Sequence, residues 1–72
     1  QKEYYYEIAQ LYFYGIGLPM SVAKAVELYE QSAVIGHIDS IKQAGDIYWN
    51  GASDVKIDKK KAIYFYTLGS QL

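Results

Sequence analysis

The sequence predicts an all-α protein built from stacked helical hairpins, and three observations support this. A motif occurs twice, with a shift of 36 residues that becomes 37 after one insertion: Tyr12-x-x-Gly15 with Lys24-Ala25-x-x-Leu28-Tyr29, and Tyr48-x-x-Gly51 with Lys61-Ala62-x-x-Phe65-Tyr66. Apolar residues within each copy follow a helical period, and glycines separate the helical stretches. Such a repeat is typical of stacked units rather than of a globule closed around a catalytic cleft.

The first copy predicts two helices. The apolar spacing of Tyr5, Ile8 and Tyr12 marks one face of a helix over residues 3–14, which ends at Gly15. Residues 15–19 then form a turn, because two glycines and Pro19 disfavour helix. Ser21 is the expected N-cap of a second helix over residues 22–34.

The second copy repeats this order. Its first helix is predicted over residues 38–50, with Asp39 in the first turn, where its charge favours the helix dipole, and Gly51 at the end. The extra residue falls in the loop 52–57, which tolerates it because loop-closure entropy grows slowly with length. Asp58 then caps a helix over residues 59–70.

Small residues at matching positions predict close helix packing. Ala9 and Gly45 lie on the first helix of each pair, and tyrosines are expected to fill the remaining space. Gly45 lies within a helix at a cost of about 1 kcal/mol relative to Ala, which indicates a close crossing. The residues predicted to be structural are Ala9, Tyr12, Gly15, Ala25, Tyr29, Gly36, Gly45, Tyr48, Gly51, Ala62 and Tyr66.

Composition narrows the function. The 72 residues carry a net charge of -1, which favours neither nucleic acid nor an anionic membrane as a ligand. There is no Cys and a single His, so no disulfide and no soft-ligand metal site is expected. No apolar run approaches the roughly 18 residues of a membrane span, so no direct membrane insertion is predicted. No targeting motif assigns a compartment.

The chain is expected to be part of a longer array. It begins inside an aromatic run without an initiator Met and stops at Leu72 without a helix-ending glycine. Helical solenoids usually need about three or more repeats with polar caps, so further repeats of its own chain are expected to cover both ends. We predict a first repeat at residues 1–37 and a second at residues 38–72.

These residues resemble the Sel-1-like repeat, a relative of the tetratricopeptide repeat, over almost the whole chain. The first copy carries the pattern in Ala9, Tyr12, Gly15, Gly17, Leu18, Lys24, Ala25, Leu28, Tyr29, Ser32, Ala33, Gly36 and His37. In the second copy Gly45, Tyr48, Gly51, Val55, Asp58, Lys61, Ala62, Phe65 and Tyr66 fit. Ser53 and Asp54 replace the second loop glycine there, so the loop 52–57 departs from the pattern.

The resemblance implies an α/α superhelix that serves as an adaptor. Similar proteins include endoplasmic-reticulum quality-control components that hold a membrane ubiquitin ligase, activators of chitin synthase, and bacterial proteins of host interaction. None of these roles is encoded in the repeat itself.

Three features of the sequence are candidate catalytic or ligand-binding sites. His37 is the one residue that titrates near neutral pH, but it follows Gly36 at a helix turn, where capping or packing explains it better than catalysis. Gly15-x-Gly17 lacks the third glycine, the strand and the lysine of a phosphate loop. The lysines at 56 and 59–61 have no interleaved aromatic residues, which favours a solvated helix face over a nucleic-acid site.

Aromatic residues carry the best indication of function. Phe13 and Trp49 occupy the same place in the two copies, one residue away from the apolar stripe. Given the resemblance, the first helices should line the concave surface, where aromatic anchors with polar neighbours typify protein interfaces. The alternative is that both rings pack between units. The predicted partner-binding residues are Tyr6, Gln10, Phe13, Lys42, Asp46 and Trp49.

We therefore predict a non-catalytic protein-interaction scaffold or adaptor that needs no cofactor and binds a protein partner rather than nucleic acid. The alternative is a structural segment of a large membrane-associated assembly, such as an endoplasmic-reticulum ubiquitin-ligase adaptor. An enzyme is the least favoured reading, because no positioned acid-base pair accompanies His37.

Overall fold

The computed structural model describes residues 2–72 of the chain. It confirms the predicted all-α fold, with four helices packed in sequence. The first begins one residue before the predicted start, and the other three have the predicted bounds. The helices are α1 (Lys2–Tyr14), α2 (Val22–Val34), α3 (Ile38–Asn50) and α4 (Lys59–Ser70).

Side-chain caps start the helices where the sequence predicted. The Ser21 hydroxyl accepts a hydrogen bond from the Lys24 N–H at 3.1 Å, and the Asp58 carboxylate accepts one from the Lys61 N–H at 3.1 Å. Each cap satisfies an N–H that has no partner within the helix. The helices therefore begin at residues fixed by local hydrogen bonding.

Glycines end α1 and α3. Gly15 and Gly51 have φ values of +66° and +72°, a region that side chains with a Cβ disfavour. A Cβ on Gly51 would also lie 2.7 Å from Cγ1 of Ile57, so the loop returns too closely for any larger residue. Gly36, which follows α2, has a φ of +91°.

The helices form a thin layered slab. The Cα atoms span 34 × 27 × 12 Å, and each principal helix contact joins chain neighbours: α1 with α2, α2 with α3, and α3 with α4. A closed four-helix bundle would add a comparable contact between α1 and α4, which this arrangement lacks. The molecule is therefore two hairpins, α1–α2 and α3–α4, joined through α2 and α3.

The core combines small residues with tyrosine rings. The predicted structural residues Ala9, Ala25, Tyr29, Gly45, Tyr48 and Ala62 are buried, and Tyr12 is half-buried. Tyr29 has no exposed surface, and Ile41 of α3 is equally covered. Small alanines let the helix backbones approach while the rings fill the space between them.

Tyr66 differs from its expected core position, because 39% of the side chain is exposed. Its counterpart in the first hairpin, Tyr29, lies on α2, which α3 covers, whereas the described residues place no helix on the outer side of α4. The ring instead lies against Gly45: a Cβ there would be 2.7 Å from Cε1 of Tyr66. The sequence predicted a close crossing of helices at Gly45, and the group that lies against it is the ring of Tyr66 on α4.

Hydrogen bonds within the two hairpins repeat in register. The Tyr29 hydroxyl donates to Oε1 of Gln10, and the Tyr66 hydroxyl donates to Oδ1 of Asp46 at 2.6 Å. Gln10 and Asp46 are equivalent positions in the two copies, as are the two tyrosines. Each bond ties the second helix of a hairpin to the first.

Cation–π contacts repeat in the same way. The Lys24 ammonium lies 5.6 Å from the centre of the Tyr12 ring, and that of Lys61 lies 5.0 Å from the Tyr48 ring. The lysine that opens each second helix thus covers the tyrosine near the end of the first, an attraction of electrostatic origin.

Hydrogen bonds of Tyr48 and Asp54 join the two hairpins. The Tyr48 hydroxyl of α3 donates to Oε2 of Glu30 on α2. In the loop 52–57, Oδ2 of Asp54 accepts hydrogen bonds from the Ala23 N–H at 3.1 Å and the Ser21 hydroxyl at 3.3 Å. The loop that departs from the repeat pattern therefore places a carboxylate at the positive end of the α2 dipole.

We expect Gly45→Leu to destabilise the second hairpin by about 1–3 kcal/mol, because the new side chain overlaps the Tyr66 ring. Thermal unfolding followed by circular dichroism measures this. Tyr66→Ala is the control background, because without the ring the space is free and Gly45→Leu should cost less there than in the unaltered chain. Unchanged stability of the single variant would contradict the close approach.

We expect Asp54→Ala to lower the free energy of unfolding by about 1 kcal/mol, because the α2 N-terminus loses a charged acceptor. Ser53→Ala in the same loop is the matched control and should have little effect. Urea unfolding at low and high salt measures the stability of both variants. High salt screens the Asp54 charge and should reduce the difference in stability between them. Equal stability of the two variants would rule out this contact as a link between hairpins.

Candidate functional site

A shallow groove of about 170 Å³ lies between the two hairpins. Phe13, near the end of α1, and Val22, at the start of α2, form its wall on the first hairpin. The second hairpin supplies α3 and the residues after it. These lining residues are Gln43, Asp46, Ile47, Asn50, Gly51 and Ala52.

The groove has apolar walls and polar groups along α3. Ile47 is buried and joins the hydrophobic core, so it continues the core outward to the surface. Asp46 and Asn50 lie one turn apart, and the Asn50 side-chain amide donates to the Asp46 backbone carbonyl at 3.0 Å. This arrangement suits an apolar side chain with a polar or charged neighbour.

Phe13 and Asp46 are the predicted partner-binding residues that line the groove. Phe13 is half-buried and packs against the core. Its ring centre lies 6.3 Å from that of Tyr29 at an angle of 65°, an edge-on arrangement that aromatic pairs favour. The Phe13 ring is therefore positioned by its own hairpin and faces the other across the groove.

Trp49 is held in place and yet accessible. Its side chain is 41% exposed, and the Lys59 ammonium lies 3.6 Å from the centre of the ring. The Tyr66 ring lies 6.3 Å away, so Trp49 contacts aromatic and cationic groups of its own hairpin. Trp49 follows Asp46 by three residues, which puts the two on neighbouring positions of one helix surface.

The remaining predicted residues have different surroundings. Tyr6 is half-buried, and its ring lies 5.8 Å from Tyr29 and 4.6 Å from His37. Gln10 accepts the Tyr29 hydrogen bond described above. Lys42 is exposed one turn before Asp46 on α3. The six residues thus do not form one cluster.

His37 serves as the N-cap of α3. Its Nδ1 accepts a hydrogen bond from the Ser40 N–H at 3.3 Å and lies 2.9 Å from the Ser40 hydroxyl oxygen. The Tyr6 ring covers the imidazole from the side of α1. Capping and packing, the readings the sequence favoured, thus account for the position of this side chain.

Within the described part of the chain, no three His, Cys, Asp or Glu side chains are grouped closely enough to hold a metal ion. The described helices also include none with the length and apolarity that a membrane span requires.

Four tyrosine hydroxyls have raised pKa values. Burial raises the pKa of Tyr29, and the nearby Tyr6 and Tyr14 add to it. Burial also raises the pKa of Tyr48, with a further contribution from its hydrogen bond to Glu30. The hydrogen bond to Asp46 raises the pKa of Tyr66 to about 12. Burial, then the Asp39 charge, raises the pKa of Tyr6.

Several groove residues were missed by the sequence argument, namely Val22, Gln43, Ile47, Asn50, Gly51 and Ala52. A signal for three of them was present: Gln43, Ile47 and Asn50 follow the i, i+4, i+7 spacing of one helix face, with Asp46 between them. Val22 and Ala52 carry no such signal, because they reach the groove from a helix start and a loop.

We expect stability to fall as the pH rises above about 10, where tyrosines of the unfolded chain ionise. The folded chain keeps these protons, since the Tyr66 pKa is about 12 and those of Tyr29 and Tyr48 are also raised. The stabilisation is therefore present below about pH 10 and is lost as the pH rises through the folded values. Thermal midpoints between about pH 8 and 12 measure the slope.

Tyr66→Phe keeps the ring and removes one of these protons, so its midpoints should fall less steeply in that range. A slope identical to that of the unaltered chain would show that the Tyr66 hydroxyl is not held protonated by Asp46.

Comparison with known families agrees with this geometry. The family model of the Sel1 repeat matches residues 2–37 and 39–72, so it covers both hairpins. No curated protein shows a significant match to the chain. Sel1 repeats are generally protein-interaction repeats and are typically non-catalytic. With two consecutive matches that span nearly every residue, this chain belongs to the Sel1 repeat family.

Proposed function

We propose that the chain is an adaptor segment that binds a protein partner on the side formed by α1 and α3. The observation that carries this proposal is the groove between the hairpins. Asp46 lines this groove, and Trp49, three residues later on α3, is exposed. Aromatic rings held rigidly beside a concave apolar surface are the usual anchors of protein interfaces.

The size of the groove favours a protein over a free small molecule. Its volume of about 170 Å³ is below the roughly 300–1,000 Å³ of typical small-molecule pockets. One side chain of a partner fits such a space, while the rest of the contact spreads over the neighbouring surface. The net charge of -1 gives no general attraction for nucleic acid.

The predicted contact residues have distinct parts in this proposal. Phe13 and Trp49 supply apolar contact, and Asp46 supplies charge. Tyr6, Gln10 and Lys42 flank them along α1 and α3 and would form the rim, where polar residues tolerate water. The hydrogen bonds of Gln10 and Asp46 to tyrosines hold the surface rigid before binding, which lowers the entropy cost of association.

A second candidate function is structural, in which the end faces join the chain to further repeats or to a larger assembly. Leu11 of α1 is 36% exposed, whereas its equivalent on α3, Ile47, is 4% exposed. Ile63 of α4 is 55% exposed, whereas its equivalent on α2, Val26, is 4% exposed. The positions that pack α2 against α3 thus recur uncovered on the outer helices.

We expect Trp49→Ala and Phe13→Ala to lose a captured partner while the helicity seen by circular dichroism is kept. The immobilised chain is exposed to cell extract, and captured proteins are quantified by mass spectrometry. Tyr64→Ala is the matched control, because it removes an exposed ring from α4 and should retain the same protein.

The opposite pattern would support the structural alternative. If capture survives at Trp49→Ala and Phe13→Ala but is lost in Leu11→Asp and Ile63→Asp, the end faces rather than the groove make the contact. Loss of helicity in Phe13→Ala would assign that ring to internal packing.

A further inference from the structure

We infer that the groove receives an apolar side chain of the partner while an adjacent Lys or Arg of the same segment binds the carboxylate at its edge. This inference rests on the proposed function and names the chemistry that the groove would recognise. Its basis is the combination of a one-residue volume, apolar walls from both hairpins and a single carboxylate at the edge.

The apolar part of the ligand follows from the walls. Phe13 and Val22 belong to the first hairpin and Ile47 and Ala52 to the second, so one inserted side chain would contact both. Ile47 is only 4% exposed, which makes the inner wall an extension of the core. Removing an aliphatic side chain from water there is favourable because it buries apolar surface.

The basic part follows from Asp46, the one charged residue among those that line the groove. Its Oδ1 accepts the Tyr66 hydroxyl at 2.6 Å, which fixes the orientation of the carboxylate. An ionised carboxylate has about four acceptor positions, so capacity remains for a guanidinium or ammonium group. A charge-assisted hydrogen bond of this kind is roughly twice as strong as a neutral one.

Side-chain amides on either side of Asp46 can bond the peptide groups of the ligand. Gln43 and Asn50 carry side-chain amides one turn before and one turn after Asp46, and amides both donate and accept. Trp49, the exposed ring three residues after Asp46, already has the Lys59 ammonium 3.6 Å from its ring centre. The cation of the ligand is therefore directed to Asp46 rather than to the indole.

The carboxylate of this site has no counterpart at the equivalent position of the first hairpin. The position equivalent to Asp46 in the first hairpin is Gln10, whose amide carries no charge. Asp46 thus supplies, at the junction with the first hairpin, a negative charge that the equivalent position lacks.

The probe for the test is the dipeptide acetyl-Leu-Arg-amide, with acetyl-Leu-citrulline-amide as the uncharged isostere. Both are titrated to about 10 mM into the ¹⁵N-labelled chain, a range that detects a binding free energy of only about 3 kcal/mol. We expect shifts centred on the amides of Ile47, Gly51 and Ala52, with about tenfold weaker binding of the citrulline peptide.

Asp46→Asn should abolish the preference for arginine, because the amide still accepts the Tyr66 hydroxyl but carries no charge. Asp39→Asn is the matched control: it removes one charge from the first turn of α3, outside the groove, and should keep the preference. If Asp46 had only a structural role, Asp46→Asn would leave the ratio of the affinities for the arginine and citrulline peptides unchanged.

Three outcomes would overturn the inference: equal affinity for both peptides, no shifts up to the highest concentration, or shifts outside the groove. Groove shifts that depend on chain concentration without peptide would assign the groove to a second copy of the chain. If the dipeptide fails while Trp49→Ala still loses a captured partner, the occupant is wrong but the adaptor proposal stands.

Discussion

The packing of α2 against α3 is the constraint on which the rest of the structure depends. Tyr29 lies on α2 with no exposed surface, while its equivalent on α4, Tyr66, is 39% exposed. The two side chains make equivalent hydrogen bonds within their hairpins, but Tyr29 also lies beside the Tyr6 ring and on a helix that α3 packs against, whereas no described helix packs on the outer side of α4. One hairpin is too thin to enclose its own tyrosines. The stacking of repeats thus completes the core, as in other quasi-one-dimensional folds.

Much of the fold could be predicted because its signals are local. Helix periodicity, the left-handed glycines and the caps at Ser21 and Asp58 depend on residues a few positions apart, and the structure has all of them where the sequence placed them. Burial is not local. Spacing assigns Tyr66 to the inner face of its helix, but only the presence or absence of a further helix decides whether water reaches the ring.

In the candidate site, too, the sequence predicted what depends on local pattern and did not predict contacts between separate segments. Register between the two copies singled out Phe13 and Asp46, which line the groove, and Trp49 beside it. The contacts that shape their surroundings join distant parts of the chain: the Lys59 ammonium on the Trp49 ring, and the Asp54 carboxylate at the start of α2, 31 residues away from Ala23. Pattern within one helix contains no information on such pairs, and the groove itself exists only where two hairpins meet.

The binding proposed for the groove is therefore coupled to stacking at this junction. The groove walls come from both hairpins, and Tyr48 with Glu30 and Asp54 with α2 set how the hairpins lie against each other. A ligand that contacts both walls binds only the stacked state, so by mass action it stabilises that state against separation. In the other direction, whatever weakens the α2–α3 packing lowers the population able to bind and hence the apparent affinity. A repeat junction that completes the core can in this way also serve as the recognition site.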